Sequence, residues 1–310
     1  METKSHRTPS GNIVYLISRS EDETAPWIVM LPGLTADHRL FAPQIESLAD
    51  EFNIIAWDAP RHGASRPFSG PFRLDDAAMW LHEIIQKETA SASPNPEHPH
   101  AGRKSAVEQP RVILVGQSLG AYIAQVYIEL FPDRISGLVS IDSAPLKRVY
   151  YKSWEIAALK HTYWMYRAFP FKLLAESGAR GCAETEVGRA YMKSLILSYE
   201  KKEYCALADE GYRALASAVE ADRAYDIDCP VLVLCGEKDK AGSTKRYSRQ
   251  WAEREGLPII WIPRAGHNST LDAPAFVAKA IGDFARSGLK TSDSTRPQAP
   301  LPSDNGTSCR

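Results

Sequence analysis

The sequence predicts an α/β protein built on an open, mostly parallel sheet. Short apolar runs recur along the chain, and stretches of helical length separate most of them. Runs that are apolar on both faces are typical of buried parallel strands, and helical spacers are typical of crossover connections. One long stretch, between the fifth and sixth runs, shows helical patterns and no strand, which indicates an insertion into the sheet.

The runs identify the expected strands in chain order. They read NIVYLI, WIVML, NIIAWD, VILVG, GLVSID, VLVLCG and PIIWIP. Two of the helices have recognisable ends. One is expected to start at Ser243 and to end near Gly256, since glycine readily takes the left-handed conformation that ends many helices. The last is expected to have Asp272 as its cap and Pro274 in its first turn.

These elements predict a division of the chain into a core and an inserted helical cap. The core, with the α/β sheet, takes residues 1–144 and 223–288, and the cap takes residues 145–222. Within the core, residues 89–110 are rich in Pro, Ser and charge, which predicts a surface insertion. Residues 289–310 are expected to form a disordered tail.

Composition narrows the choice of partners. The chain has 310 residues, a net charge of −1 and a pI of about 6.7, so no strong field attracts nucleic acid or an anionic membrane. The polar start METKSHRTPS lacks the apolar core of a signal peptide, and no later run reaches the length of a membrane span. We therefore expect a cytoplasmic protein that acts on a small molecule.

The five cysteines form no CxxC pair, so neither a disulfide framework nor a zinc site is indicated. We expect no metal and no cofactor. No feature of the sequence points to a particular oligomeric state.

A polar interruption in the most apolar region is the strongest functional signal. In VILVGQSLGAYIAQV, a buried strand runs directly into a helix through Gly116, Gln117, Ser118, Leu119 and Gly120. Small residues on either side of the serine relieve the crowding of so sharp a turn. This is the pattern of a nucleophile elbow, which projects a serine hydroxyl above the sheet.

A serine nucleophile needs a base, and the base needs an acid that orients it. His267, just past the last strand, lies at the carboxyl edge where open α/β sheets place their sites. Asp239 follows the preceding strand and completes the order serine, acid, histidine. Glu237 is its nearest competitor, and Asp142, at the end of another strand, is a further alternative.

Backbone amides are expected to stabilise the oxyanion of the tetrahedral intermediate. One is the N–H of Leu119, at the start of the helix after Ser118. The other is expected in the turn after WIVML, where Gly33 permits close approach and Leu34 supplies the N–H. Pro32 cannot donate.

Together these motifs resemble the α/β-hydrolase superfamily, and in particular a cap-containing esterase or lipase with a serine nucleophile. The resemblance covers most of residues 25–144 and 223–287, including GQSLG, GEKDKAG and AGHNSTLDAPAFV. DAPRHGASRP is similar to a loop of that superfamily, which implies a structural role for His62. The oxyanion turn departs from many members, because it carries Pro-Gly where they have His-Gly.

The resemblance implies hydrolysis of a small or medium carboxylic ester or lactone through an acyl-enzyme. Ser118 attacks the carbonyl, His267 takes and returns the proton, and Asp239 holds the imidazole. A carbon–carbon bond hydrolase and a haloperoxidase-like perhydrolase on the same three residues remain open. A small-molecule receptor with a retained triad is the alternative from another class.

The predicted cap is rich in aromatic residues, which favours an apolar or aromatic substrate. We expect Trp154 and Trp164 of the cap, together with Gln117 of the elbow, to line the substrate pocket.

Overall fold

The computed structural model describes residues 1–90, 110–223 and 226–291, and within them eight strands form a single sheet. The strands are β1 (Glu2–Thr8), β2 (Gly11–Ser18), β3 (Trp27–Leu31), β4 (Asn53–Trp57), β5 (Val112–Gln117), β6 (Ile135–Ile141), β7 (Val231–Gly236) and β8 (Ile259–Ile262). Their order across the sheet is β1-β2-β4-β3-β5-β6-β7-β8. β1 and β2 run antiparallel to their neighbours, and all other pairs are parallel. The predicted α/β architecture is confirmed.

The first strand, β1, was missed by the sequence analysis. Its residues ETKSHRT pair with β2, from Glu2 opposite Ile17 to Thr8 opposite Gly11. The strand lies at the edge of the sheet and most of its side chains are exposed or half-buried. An edge strand of this kind lacks the apolar run by which buried strands are recognised.

Helices cover both faces of the sheet. They are α1 (Ala42–Leu48), α2 (Leu74–Ala90), α3 (Leu119–Leu130), α4 (Ser153–Leu159), α5 (Thr162–Ala168), α6 (Phe171–Cys182), α7 (Glu186–Leu197), α8 (Lys201–Ala221), α9 (Thr244–Glu255), α10 (Ser269–Asp272) and α11 (Pro274–Thr291). Alternate residues of β3 enter separate cores, Val29 with α2 and α3 and Met30 with α1 and α11. Among the described residues, none of the helices has both the length and the apolarity needed to cross a membrane.

The long insertion is helical: α4 to α8 all lie between β6 and β7. We call α4–α8 the inserted helices; that they form a separate cap domain stays a prediction. In the predicted surface insertion, residues 89 and 90 belong to α2, and residues 91–109 lie outside the described residues. In the predicted tail, residues 289–291 belong to α11, and residues 292–310 lie outside the described residues.

The ends of the last helices are largely as predicted. Ser243 precedes α9, and Gly256 follows it with a φ of 65°. α11 begins at Pro274, but Asp272 is not its cap. The separate short helix α10 ends at Asp272, and the Asp272 carboxylate accepts hydrogen bonds from the backbone N–H groups of Gly266, Glu184 and Thr185.

The helix after β5 starts very close to β3. An ideal Cβ added at Gly120 would lie 1.8 Å from the carbonyl oxygen of Leu31, far inside van der Waals contact. Any side chain at this position therefore separates α3 from the middle of the sheet.

We predict that Gly120→Ala lowers the free energy of unfolding by about 2–3 kcal/mol, because the new methyl group has to displace backbone. The matched control is Gly181→Ala in α6, where no described atom lies within 4 Å of the added Cβ. That change is expected to be neutral or to stabilise by up to about 1 kcal/mol, the helix-propensity difference. Urea unfolding of both variants measures this; equal effects would contradict the close approach.

Candidate active site

Ser118 lies between β5 and α3 in a conformation that few residues other than glycine adopt. Its φ is 50° and its ψ is −117°. The Ser118 N–H donates to the carbonyl of Ile141, 2.9 Å away, and its carbonyl accepts from the Ser143 hydroxyl at 2.9 Å. Backbone strain of this kind persists only where neighbouring contacts enforce it, and it is concentrated at functional sites. The turn has the geometry of a nucleophile elbow.

Ser118, His267 and Asp239 form a continuous chain of hydrogen bonds. His267 Nε2 lies 3.0 Å from Ser118 Oγ, and His267 Nδ1 lies 2.9 Å from Asp239 Oδ2. Because an ionised carboxylate only accepts, Nδ1 carries the proton and Nε2 is free to accept the serine proton. The other Asp239 oxygen accepts from the Ala241 N–H at 2.7 Å, which fixes the carboxylate.

In the described part of the chain, neither alternative acid has a hydrogen bond to His267. Asp142 accepts from the Gly236 N–H at 2.7 Å and from the Ser269 hydroxyl at 2.5 Å. Glu237 is exposed and accepts from the backbone N–H of Arg264. Of the three candidates, only Asp239 has a hydrogen bond to the imidazole among the described residues.

The turn after β3 lies against the serine. An ideal Cβ on Gly33 would lie 2.2 Å from Gln117 Oε1 and 3.1 Å from Ser118 Cβ, so a side chain at this position has to displace the Gln117 amide. Leu34 and Leu119 both line the cavity in front of Ser118. Among the hydrogen bonds between described residues, neither the Leu34 N–H nor the Leu119 N–H has an acceptor. That these two N–H groups serve as the oxyanion donors stays a prediction.

Charge at the site is concentrated around the imidazole. Burial lowers the pKa of His267, but the charge of Asp239, its hydrogen bond and the charge of Asp142 together raise it above the ordinary value. Burial and the charge of Asp239 raise the pKa of Asp142 to about 7. The site thus holds two buried carboxyl groups near one histidine.

A cavity of about 170 Å³ opens in front of Ser118. Its walls come from the elbow, the loops after β3, β7 and β8, and the helices α5 to α8. The described residues that line it include no Lys, Arg, Asp or Glu. Four tyrosines line it: Tyr122, Tyr166, Tyr204 and Tyr212. A cavity of similar size in another protein holds benzene, so this one suits a small substrate group.

The sequence pattern that describes the alpha/beta hydrolase family matches residues 28–280 of this chain. The chain belongs to the alpha/beta hydrolase family. It is 24% identical over 300 residues to a 2-(acetamidomethylene)succinate hydrolase of Mesorhizobium japonicum, a match that covers 90% of this chain and 94% of the relative.

Solved structures of other proteins share the fold. An enol-lactonase from Burkholderia xenovorans aligns with a TM-score of 0.71 at 20% identity, over 91% of this chain and 100% of the other. A thermophilic esterase from Thermogutta terrifontis aligns with a TM-score of 0.70 at 18% identity, over 93% of this chain and 99% of the other. At these identities the likeness shows the α/β hydrolase fold alone.

Two of the predicted pocket residues lie elsewhere in this α/β hydrolase. Trp154 is 66% exposed and Trp164 is 73% exposed, and neither lines the cavity. Both lie on outward faces of the inserted helices. The prediction was wrong because aromatic content does not reveal which face of a helix is buried. Gln117 does line the cavity, and its amide donates to the carbonyl of His267 at 2.7 Å.

The sequence analysis also missed the wall that α8 contributes. Tyr204, Ala208, Gly211, Tyr212 and Leu215 all line the cavity. They recur at the spacing of one helix face, so this stripe was the signal available in the sequence. Tyr166 of α5 reaches the same wall, and its hydroxyl donates to the Tyr212 hydroxyl at 3.3 Å.

Asp37, His38 and Asp58 lie close enough together to bind a metal ion, but their hydrogen bonds and ion pair explain why they cluster. Asp58 accepts from the His38 N–H, the His38 ring and the Ala64 N–H, and Asp37 pairs with Arg39. These bonds hold the loops after β3 and β4 together.

The buried ring of His62 lies in the second of these loops. It donates from Nδ1 to the Pro60 carbonyl at 2.9 Å, and burial lowers its pKa to about 4. A neutral ring with this contact fits the structural role expected for His62.

We predict that kcat/KM for an ester falls on the acid side with a midpoint above about 6.5, the ordinary histidine pKa. The sign follows from the mechanism: Nε2 accepts the Ser118 proton only while it is unprotonated, so activity is lost as the pH falls through the raised pKa. Initial rates at low ester concentration across the pH range measure this midpoint. A midpoint below about 6 would contradict the electrostatics described above.

Proposed function

We propose that the protein is a serine hydrolase that cleaves a small, uncharged carboxylic ester or lactone through an acyl-enzyme. The observation that carries this proposal is the hydrogen-bond chain from Ser118 through His267 to Asp239. A hydroxyl at its ordinary acidity is a poor nucleophile, and this chain supplies the base and the group that orients it.

In the first half of the reaction, Ser118 Oγ attacks the carbonyl carbon while His267 Nε2 takes its proton. The carbonyl oxygen becomes an oxyanion, which accepts from the N–H groups of Leu34 and Leu119. The imidazolium then gives its proton to the departing alcohol, and the acyl group stays on Ser118. In the second half, water takes the place of the alcohol and the same steps release the acid.

The uncharged cavity supports the choice of substrate. The Mesorhizobium relative is named for a succinate, which carries two carboxylates, whereas the described lining of this cavity has no Lys or Arg to pair with them. Burying an unpaired carboxylate is costly. The tyrosine-lined wall instead suits a neutral acyl or alcohol group, and we propose that the inserted helices act as the cap over it.

We predict that Ser118→Ala lowers p-nitrophenyl ester hydrolysis by at least about a thousandfold, since the acyl-enzyme can no longer form. The matched control is Ser140→Ala. Ser140 is a buried serine of β6 opposite Gly116 of the elbow strand, and among the described residues its hydroxyl has no hydrogen-bond partner.

Retained hydrolysis in Ser118→Ala would overturn the proposal. Ligand-dependent binding of another protein that persists in Ser118→Ala, with no ester turnover in the unaltered protein, would favour the receptor alternative.

We predict that p-nitrophenyl butyrate is cleaved with a kcat/KM at least about tenfold higher than mono-p-nitrophenyl succinate, which has the same chain length and a terminal carboxylate. The comparison isolates the charge, because the leaving group is identical. Faster cleavage of the anionic ester would contradict the assignment of an uncharged substrate.

A further inference from the structure

A second carboxyl group lies beside the Asp239–His267 pair. Asp142 follows β6, its side chain is fully buried, and one of its oxygens lies within 4.8 Å of one Asp239 oxygen. The hydrolytic mechanism above does not use this residue. Burial of a carboxyl group is unfavourable unless hydrogen bonds or charges compensate for the loss of water, so the contacts of Asp142 need an explanation.

The hydrogen bonds of Asp142 connect the two loops that carry the acid and the base. One oxygen accepts from the N–H of Gly236, the residue from which the Asp239 loop departs. The other accepts from the N–H of Ser269 at 3.2 Å and from its hydroxyl at 2.5 Å, two positions after His267. These three donors favour the ionised form of the carboxyl group, against burial and the charge of Asp239, which raise its pKa.

The backbone of Asp142 is held in a fixed conformation. Its φ is 47°, a left-handed conformation unusual for a residue other than glycine, and its N–H donates to the Leu234 carbonyl at 2.9 Å. Such strain persists only where surrounding contacts maintain it.

We propose that Asp142 is a positioning residue of the hydrolytic site, which ties the Asp239 loop to the His267 loop and places a second negative charge near the imidazole. The proposal rests on the proposed function. During acyl transfer His267 becomes an imidazolium, and two buried carboxylates then stabilise its charge where water cannot.

The groups that face Asp142 determine the sign of its effect. They are Asp239 and His267, which interact with it electrostatically, and the thiol of Cys235, whose own pKa burial raises. Since the charge of Asp142 favours the protonated imidazole, its removal lowers the pKa of His267. The acid limb of the activity profile then moves to lower pH.

The test compares Asp142→Asn with Asp272→Asn. Both aspartates accept from backbone N–H groups of the histidine loop, Asp142 from Ser269 and Asp272 from Gly266. Of the two, only Asp142 raises the pKa of His267 through its charge. We expect Asp142→Asn to lower kcat at least about tenfold and to move the acid midpoint of kcat/KM down by at least about half a pH unit. Asp272→Asn is expected to lower the rate without moving the midpoint.

An unmoved midpoint in Asp142→Asn, or an equal shift in both variants, overturns the proposal. If Asp142→Asn does not fold, Ser269→Ala takes its place. It removes the hydroxyl donor that favours ionised Asp142, so we expect a smaller shift in the same direction, and no shift overturns the proposal.

NMR titration of the His267 ring in Ser118→Ala protein, with and without Asp142→Asn, measures the same pKa without turnover. If wild-type protein cleaves no ester, the proposed function fails. A lower His267 pKa in the Asp142→Asn protein still supports the electrostatic role of Asp142, and an unchanged pKa overturns it.

Discussion

The arrangement of the site depends on one tight turn, from β5 into α3. Gly120 lets α3 start against the carbonyl of Leu31, and Ser118 is held at a positive φ by bonds to Ile141 and Ser143. Parallel strands end at the same edge of a sheet, so the loops after β7 and β8 meet the serine there. Gly33, without a side chain, lets the turn after β3 lie against Gln117 and Ser118.

The second constraint is the cost of burying ionised groups. Ions are costly away from water unless they are paired, and the site pairs its imidazole with Asp239 while Asp142 uses backbone and hydroxyl donors. Among the described residues, the lining of the cavity beyond has no Lys, Arg, Asp or Glu. In the proposed reaction, a neutral substrate therefore adds no charge that the walls would have to compensate.

Much of this was predictable from the sequence, for physical reasons. The strands β2 to β8 were found because each carries an apolar run, even β8 at the far edge of the sheet, whereas the polar edge strand β1 gave no such signal. The sequence predicted that Ser118, His267 and Asp239 lie together because strand ends and turns bring them to one edge, and hydrogen bonds join the three side chains. Exposed Trp154 and Trp164 were misplaced, because which face of an inserted helix packs inward depends on its neighbours. The contacts of Asp142 join residues far apart in the chain and required coordinates.

The central claim is that Ser118 is the nucleophile. The most direct measurement is labelling with a fluorophosphonate, followed by digestion and mass spectrometry of the modified peptide. We expect one adduct, on Ser118, formed much more slowly in His267→Ala protein, which lacks the base. An adduct on another residue, or no adduct in protein that cleaves esters, would contradict the account.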